Sequence, residues 1–239
     1  MTRFQRYAIY VMPDGALARF GAQWLGWDAQ VGRTIDHPQV AGLPRPLDEI
    51  TATPRKYGLH ATIKPPFRLA ESRPPAGLMA DLAALCARLE PVTLQGLSLA
   101  RLGGFLALVP EGPTDALNAM AQQVVTALDQ HRAPLTEAEL ARRRKARLTP
   151  AQETLLARWG YPFVLEEFRF HVTLTGNLPR PEAEAVAAAL TGHLDPVLPR
   201  PFVIGSLCLV GEDGEGLFHL IHRYPLGAAA TRSSTATSA

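Results

Sequence analysis

An α+β fold built from two related lobes is what this sequence predicts, on three observations. A block of strand, helix and hairpin occurs twice. The strand of each block carries the same His-x-Thr word. No strand is followed by the Gly-rich phosphate loop of a doubly wound parallel sheet. The 239 residues, 47% hydrophobic and 19% charged, can bury a sizeable core. We expect a single bilobal domain over residues 1–226, with lobe one at about 1–112 and lobe two at about 113–226.

Taken in order, Tyr7–Met12 is a β-prone run ended by Pro13-Asp14-Gly15. Leu17, Phe20, Trp24 and Leu25 recur at helical spacing. Residues 28–56, rich in Pro, Gly and Asp, read as a long loop. Gly58–Lys64 reads as a strand stopped by Pro65-Pro66, and Leu78–Leu89 as an amphipathic helix. Val92–Leu99 and Phe105–Val109 form a hairpin across Arg101–Gly104, and Ala116–Leu128 is a further helix. Residues 134–160 read as a helical hairpin. Thr136 with Glu139 and Thr149 with Gln152 have capping-box spacing, Pro150 suits a first helical position and Gly160 a C-terminal stop. Phe168–Thr175 is a strand, Glu182–Leu190 an Ala-rich helix, and Val203–Val210 with Leu217–His222 a second hairpin. The Ala/Ser/Thr-rich segment 227–239 is expected to be disordered.

Composition excludes several classes. A net charge of +2 gives no global polycation, so any anion preference must come from local placement. Cys86 and Cys208 lie in apolar runs and read as buried free thiols. No CxxC or His/Cys cluster supports a zinc site, and no metal or other cofactor is expected. The N-terminus lacks the apolar segment of a signal peptide, and no run of about 20 apolar residues suggests a membrane span. A soluble cytoplasmic protein with no membrane partner is the expectation.

The chemistry sits in two words, Leu59-His60-Ala61-Thr62-Ile63 and Phe170-His171-Val172-Thr173-Leu174. They match position by position. Alternate side chains of a strand share a face. Leu59, Ala61 and Ile63 therefore face the core, with His60, Thr62 and Lys64 opposite. Phe168, Phe170, Val172 and Leu174 likewise face the core, with Arg169, His171, Thr173 and Thr175 opposite. Chance supplies about 0.5 His-x-Thr triplets in such a composition, so the bare pair is a weak signal. The matched alternation and a cation on each polar face strengthen it. One imidazole can act as base and the other as acid near neutrality, while hydroxyls and cations hold the non-bridging oxygens of a phosphate.

These residues resemble the 2H (two-histidine) phosphoesterase superfamily, which includes RNA ligase-like 2′,3′-cyclic phosphodiesterases. The words Arg6-Tyr7-Ala8-Ile9-Tyr10, Trp24-Leu25-Gly26-Trp27-Asp28, Tyr57–Phe67, Trp159-Gly160-Tyr161-Pro162 and Phe168–Gly176 are similar to its branch associated with phosphonate-metabolism operons. The likeness spans residues 6 to about 224. It implies a bilobal α+β fold, with mainly antiparallel sheets lining a central cleft and helices outside. It implies His60 and His171 as the acid–base pair and Thr62 and Thr173 on the phosphate. It implies cyclic or linear phosphodiester chemistry and provides no substrate; the operon association alone suggests a ribosyl cyclic phosphate or another phosphonate-pathway intermediate, and the expected partner is a small cyclic phosphate or nucleotide. The spacing between the two histidines is long for the superfamily, and the hairpin at 134–160 looks like the insertion responsible.

Three further residues are candidates for the phosphate: Arg169 inside its strand pattern, Lys64 on the His60 face, and Tyr10 in the neighbouring strand. His219 and His222 fall on opposite faces of a strand and make poor metal partners. His37, His131 and His193 read as surface residues. Arg142–Arg147 reads first as a solvated helix face, and second as a device steering polyanions. The favoured function is metal-independent phosphodiester cleavage. A non-catalytic nucleotide- or RNA-binding module and a metal-dependent hydrolase are the alternatives, and RNA is the less favoured partner.

Overall fold

The computed structural model describes residues 4–227. The expected disordered segment therefore lies, from residue 228 on, outside the described residues.

Seven strands form one antiparallel sheet. Four make its first half: β11 (Phe218–Pro225), β10 (Ser206–Glu212), β1 (Arg6–Val11) and β4 (Ala61–Phe67), in that order. The second half is β8 (Val172–Thr173), β7 (Phe105–Glu111) and β6 (Gly96–Leu102). The halves meet where Ala61 of β4 pairs with Val172 of β8. The two expected sheets are thus one continuous sheet, pinched between the two His-x-Thr words. A two-stranded ribbon of β5 (Val92–Leu94) and β9 (Phe202–Ile204) ties together the chain segments that lead into the two hairpins. The short pair β2 (Trp27–Asp28) and β3 (Arg33–Thr34) follows α1 (Gly15–Leu25).

The repeated block is present, but its hairpins change partners. The first block runs β4, α3 (Pro75–Cys86), then the β6–β7 hairpin. The second runs β8, α7 (Arg180–Leu194), then the β10–β11 hairpin. Hairpin β6–β7 pairs beside β8, and β10 pairs with β1 beside β4. Helix α3 packs on β10 and β11, and α7 on β6 and β7. Each half of the sheet is therefore assembled from both halves of the chain, and residue 112 marks no seam in it.

Apolar burial follows the sequence pattern closely. Leu59, Ala61 and Ile63 are buried, as are Phe168, Phe170, Val172 and Leu174. All seven join one large core with α1, α3, α4 (Asp115–Ala127) and α7. A second cluster gathers Ala8, Tyr10, Trp27, Cys208 and Phe218 on the other face of β1. Both cysteines are free and buried, and burial pushes the thiols up to about 12 for Cys86 and about 11 for Cys208.

Four local expectations are corrected. Pro65-Pro66 does not stop β4, which runs on to Phe67. The register against β1 shifts between Tyr7↔Phe67 and Ile9↔Lys64, so the two prolines oppose the single residue Ala8 in a bulge, where a missing N–H is tolerated. The strand expected at Phe168–Thr175 shrinks to Val172–Thr173. The Thr175 hydroxyl accepts from the Leu106 amide at 2.9 Å and so takes over a ladder position. Within the expected loop 28–56 lies α2 (Leu47–Arg55), which buries Leu47, Ile50, Thr51 and Pro54 at helical spacing. His131 is buried rather than on the surface, its Nε2 2.8 Å from Asp81.

The helical hairpin forms as α5 (Glu137–Arg144) and α6 (Pro150–Trp159). Both capping boxes are complete, and Gly160 takes the left-handed C-cap with φ 73°. Arg68, directly after β4, donates to Glu139 at 3.0 Å and to the Pro134 carbonyl at 2.8 Å. Arg68 chiefly holds the Glu139 carboxyl down to about 2. The insertion is thereby anchored to the end of the strand that follows His60.

Candidate active site

An open cavity of about 710 Å³ lies over the pinch in the sheet. Tyr10, His60, Thr62 and Thr173 line it, as do Tyr57 and Phe105. His171 is not among the lining residues; its ring centroid lies 5.8 Å from that of Phe105, which is, and its charge is felt at His60.

Gly58 begins the construction of the His60 side. It has φ +70°, and a Cβ there would meet the Ala29 Cβ at 2.7 Å, so only glycine fits the turn. The turn aims the Gly58 carbonyl at His60 Nδ1, 2.9 Å away. A carbonyl only accepts, so Nδ1 carries the proton and Nε2 of the neutral ring presents its lone pair. The Thr62 hydroxyl donates to that Nε2 at 3.1 Å. The Tyr10 ring stacks on the imidazole, with centroids 3.9 Å apart and planes at 26°. Burial, first, lowers the His60 pKa to about 4; the Gly58 bond opposes this and the His171 charge assists it. His60 is thus held neutral near pH 7.

His171 repeats one part of this arrangement. Its Nδ1 donates to the Arg169 carbonyl at 2.8 Å, again the residue two positions earlier. Both imidazoles therefore have the same proton-bearing nitrogen and leave Nε2 for other partners. The surroundings differ, because His171 has no stacked tyrosine and no bond from its Thr among the described hydrogen bonds.

Two candidate cations go elsewhere. The Lys64 ammonium is buried and donates to Asp129 at 3.0 Å and to the Val125 carbonyl at 3.1 Å. The bulge and the packing of α4 on β4 take it into the interior, where burial lowers its pKa. Arg169 is exposed, and its guanidinium donates to the carbonyls of Phe168 at 2.7 Å and Glu166 at 3.1 Å. Neither lines the cavity. Tyr10 does, with its hydroxyl buried and unpartnered.

The cations that do line it are Arg6, Lys56, Arg142 and Arg143. Arg6 was legible in principle, since it shares a face of β1 with Tyr10 at even spacing. Arg142 and Arg143 belong to the basic run expected to be a solvated helix face. Most of the run is exposed, but Arg142 and Arg143 border the cavity, and the half-buried Arg143 has its guanidinium 4.7 Å over the Tyr161 ring. Among the described residues, no group of three or more His, Cys, Asp and Glu is placed to hold a metal. None of the helices there is long and apolar enough to cross a membrane.

An α+β protein with a two-histidine, cation-lined cleft is the class that fold and site define. Residues 62–219 match the family model described as "Protein of unknown function (DUF1045)", and the chain belongs to that family. A curated relative, "Ribose 1,5-bisphosphate phosphokinase PhnN" of Janthinobacterium sp. (strain Marseille), is 38% identical over 96% of this chain and 52% of its own length. The chain spans about half the length of the curated relatives it matches. Solved structures with some likeness include a phosphoesterase and Escherichia coli LigT complexed with 3′-AMP. Both are 18% identical over 94% of this chain and 99% of theirs, with TM-scores of 0.42 and 0.41.

Proposed function

We propose that this protein is a metal-independent phosphodiesterase of the 2H type, acting on a cyclic phosphodiester such as a nucleotide or ribosyl cyclic phosphate linked to phosphonate metabolism. One observation carries the reading: two imidazoles each commit Nδ1 to the carbonyl two residues earlier, with His60 lining a cation-rich cavity and His171 beside Phe105 of its wall. His60, held neutral, is the general base. Its Nε2 takes a proton from the attacking water as the new P–O bond forms. His171 gives a proton to the oxygen that leaves as the ring P–O bond breaks. The products are a phosphomonoester and a free hydroxyl, and the two histidines exchange protonation states. Thr62 and Thr173 turn their hydroxyls to the non-bridging oxygens. Lys64 and Arg169 take no part.

No Gly-x-x-x-x-Gly-Lys-Ser/Thr loop occurs in these residues. We therefore assign the phosphokinase name of the longer relatives to the part of them that this chain does not match. The test is a screen of cyclic nucleotides and cyclic ribose phosphates with and without EDTA. Turnover that survives the chelator is expected. Loss with EDTA and rescue by a divalent ion would give the reaction to a metal-dependent hydrolase. Tight binding without turnover would favour a nucleotide- or RNA-binding module.

A further inference from the structure

Building on the phosphodiesterase reading, we propose that the substrate carries a second anionic group, a phosphomonoester, and that Arg142 and Arg143 of the helical hairpin hold it. Charge balance is the first argument. The cavity wall contributes Arg6, Lys56, Arg142 and Arg143 and no Asp or Glu. Arg6 is neutralised by its paired bonds to Glu212. Lys56, Arg142 and Arg143 enter no ion pair among the described residues. A cyclic phosphodiester brings one negative charge, fewer than these cations can balance. A phosphomonoester adds about −1.5 to −2 at pH 7, with three strong acceptor oxygens.

Arg143 itself is the second argument. Its Nε is buried and has no hydrogen-bond partner, an arrangement that costs stability unless an acceptor arrives. The Tyr161 ring lies 4.7 Å beneath its guanidinium and holds it by cation–π attraction. A fork held in this way suits a bidentate phosphate oxygen pair better than a diffuse counterion.

The third argument is the anchoring. Arg144, next in the run, gives its charge to Glu153 of α6 at 3.1 Å. Arg68 fastens Glu139 of α5 to the end of β4. The hairpin is thereby pinned so that Arg142 and Arg143 reach the cleft, while the neighbouring cation serves the scaffold. The insertion becomes a specificity element and not merely a charged surface.

The test uses the full chain with His171→Ala, which suspends turnover, and calorimetric binding of a matched pair. The ligands are adenosine 2′,3′-cyclic phosphate and the same compound bearing a 5′-phosphate. The 5′-phosphorylated ligand should bind about 10- to 100-fold more tightly, the range of a charge-assisted bidentate contact. Adding Arg142→Gln and Arg143→Gln should erase that preference, with circular dichroism reporting an intact fold. Arg143→Lys keeps the charge but loses the fork, and should recover only part of it. Equal binding of the two ligands overturns the proposal, as does a preference that survives replacement of both arginines. Wild-type turnover is measured separately on both compounds. An arginine-dependent preference without turnover would sink the phosphodiesterase reading and leave the anion site standing; turnover without preference would do the reverse.

Discussion

The two sides of the cleft carry the same five-residue pattern and place their histidines differently. On the β4 side, His60 is stacked on Tyr10 and bonded through both ring nitrogens. On the β8 side, His171 is bonded through Nδ1 alone and leans toward Phe105. The local words are alike, so the difference comes from the partners. β4 has β1 along most of its length, and β1 brings Tyr10 over the imidazole. β8 is two residues long and brings nothing comparable. A repeated motif can thus yield two unlike groups, one held neutral by burial and bonded through both nitrogens and one bonded through Nδ1 alone, and the proposed base and acid roles follow that difference.

Removing either imidazole is the strongest way to break this comparison. His60→Ala and His171→Ala should each lower single-turnover rates by about 10²- to 10⁴-fold. If the two act in one cycle, the double variant should be little worse than either single one. A folded His171→Ala protein with near-wild-type turnover would reduce the β8 side to scaffold. Thr62→Val and Thr173→Val should each cost about tenfold in kcat/KM, the size of one hydroxyl contact to a charged group. Unequal losses would measure how far the bond from Thr62 to His60 matters beyond phosphate binding.

Lys64 and Arg169 sharpen the comparison from the other direction, because each follows a motif's alternation yet neither reaches the cleft. Lys64→Met should destabilise the fold by about 1–3 kcal/mol in a denaturant titration, since it leaves the Val125 carbonyl unpaired and the half-buried Asp129 with Arg132 alone. Its kcat/KM per folded molecule should stay within about threefold of wild type. Arg169→Gln should likewise stay within about threefold. A large activity loss in either would restore that cation to the phosphate.

What the sequence made legible was mostly what is local. Alternation placed Leu59, Ala61, Ile63, Phe170, Val172 and Leu174 in the core without needing a partner strand. The capping boxes of α5 and α6 are carried by residues three apart, so spacing alone reveals them. The direction of Lys64 was hidden because it depends on a bulge created against β1 and on where α4 ends. That Arg142 and Arg143 border the cavity was hidden because the hairpin is fastened by Arg68 to Glu139 across 71 residues. Helix α2 was masked by Pro and Thr residues whose apolar sides it nevertheless buries. The hairpin exchange is invisible to any reading that keeps sequence neighbours together.

A pH dependence belongs to the His60 side alone. The folded protein holds His60 at about 4, whereas the unfolded chain returns it to about 6.5. Below pH 4 both states bind the proton, and above 6.5 neither does. Between these values the unfolded state binds more, so stability must fall as pH drops from 6.5 toward 4. Each pKa unit corresponds to about 1.4 kcal/mol, which sets an upper bound of about 3 kcal/mol. Water reaching the half-buried ring reduces it. Urea titrations at pH 7 and pH 4.5 should therefore show a loss in wild type that is smaller in His60→Gln. His171→Gln serves as the control, because it leaves His60 in place and should retain the loss. The same proton should govern activity, with kcat/KM rising with pH through about 4 as His60 becomes a free base. Since the His171 charge contributes to lowering the His60 pKa, the stability transition in His171→Gln should move slightly to higher pH. Identical pH slopes in wild type and His60→Gln would mean that burial does not hold this imidazole neutral, and the division of roles between the two sides would fail with it.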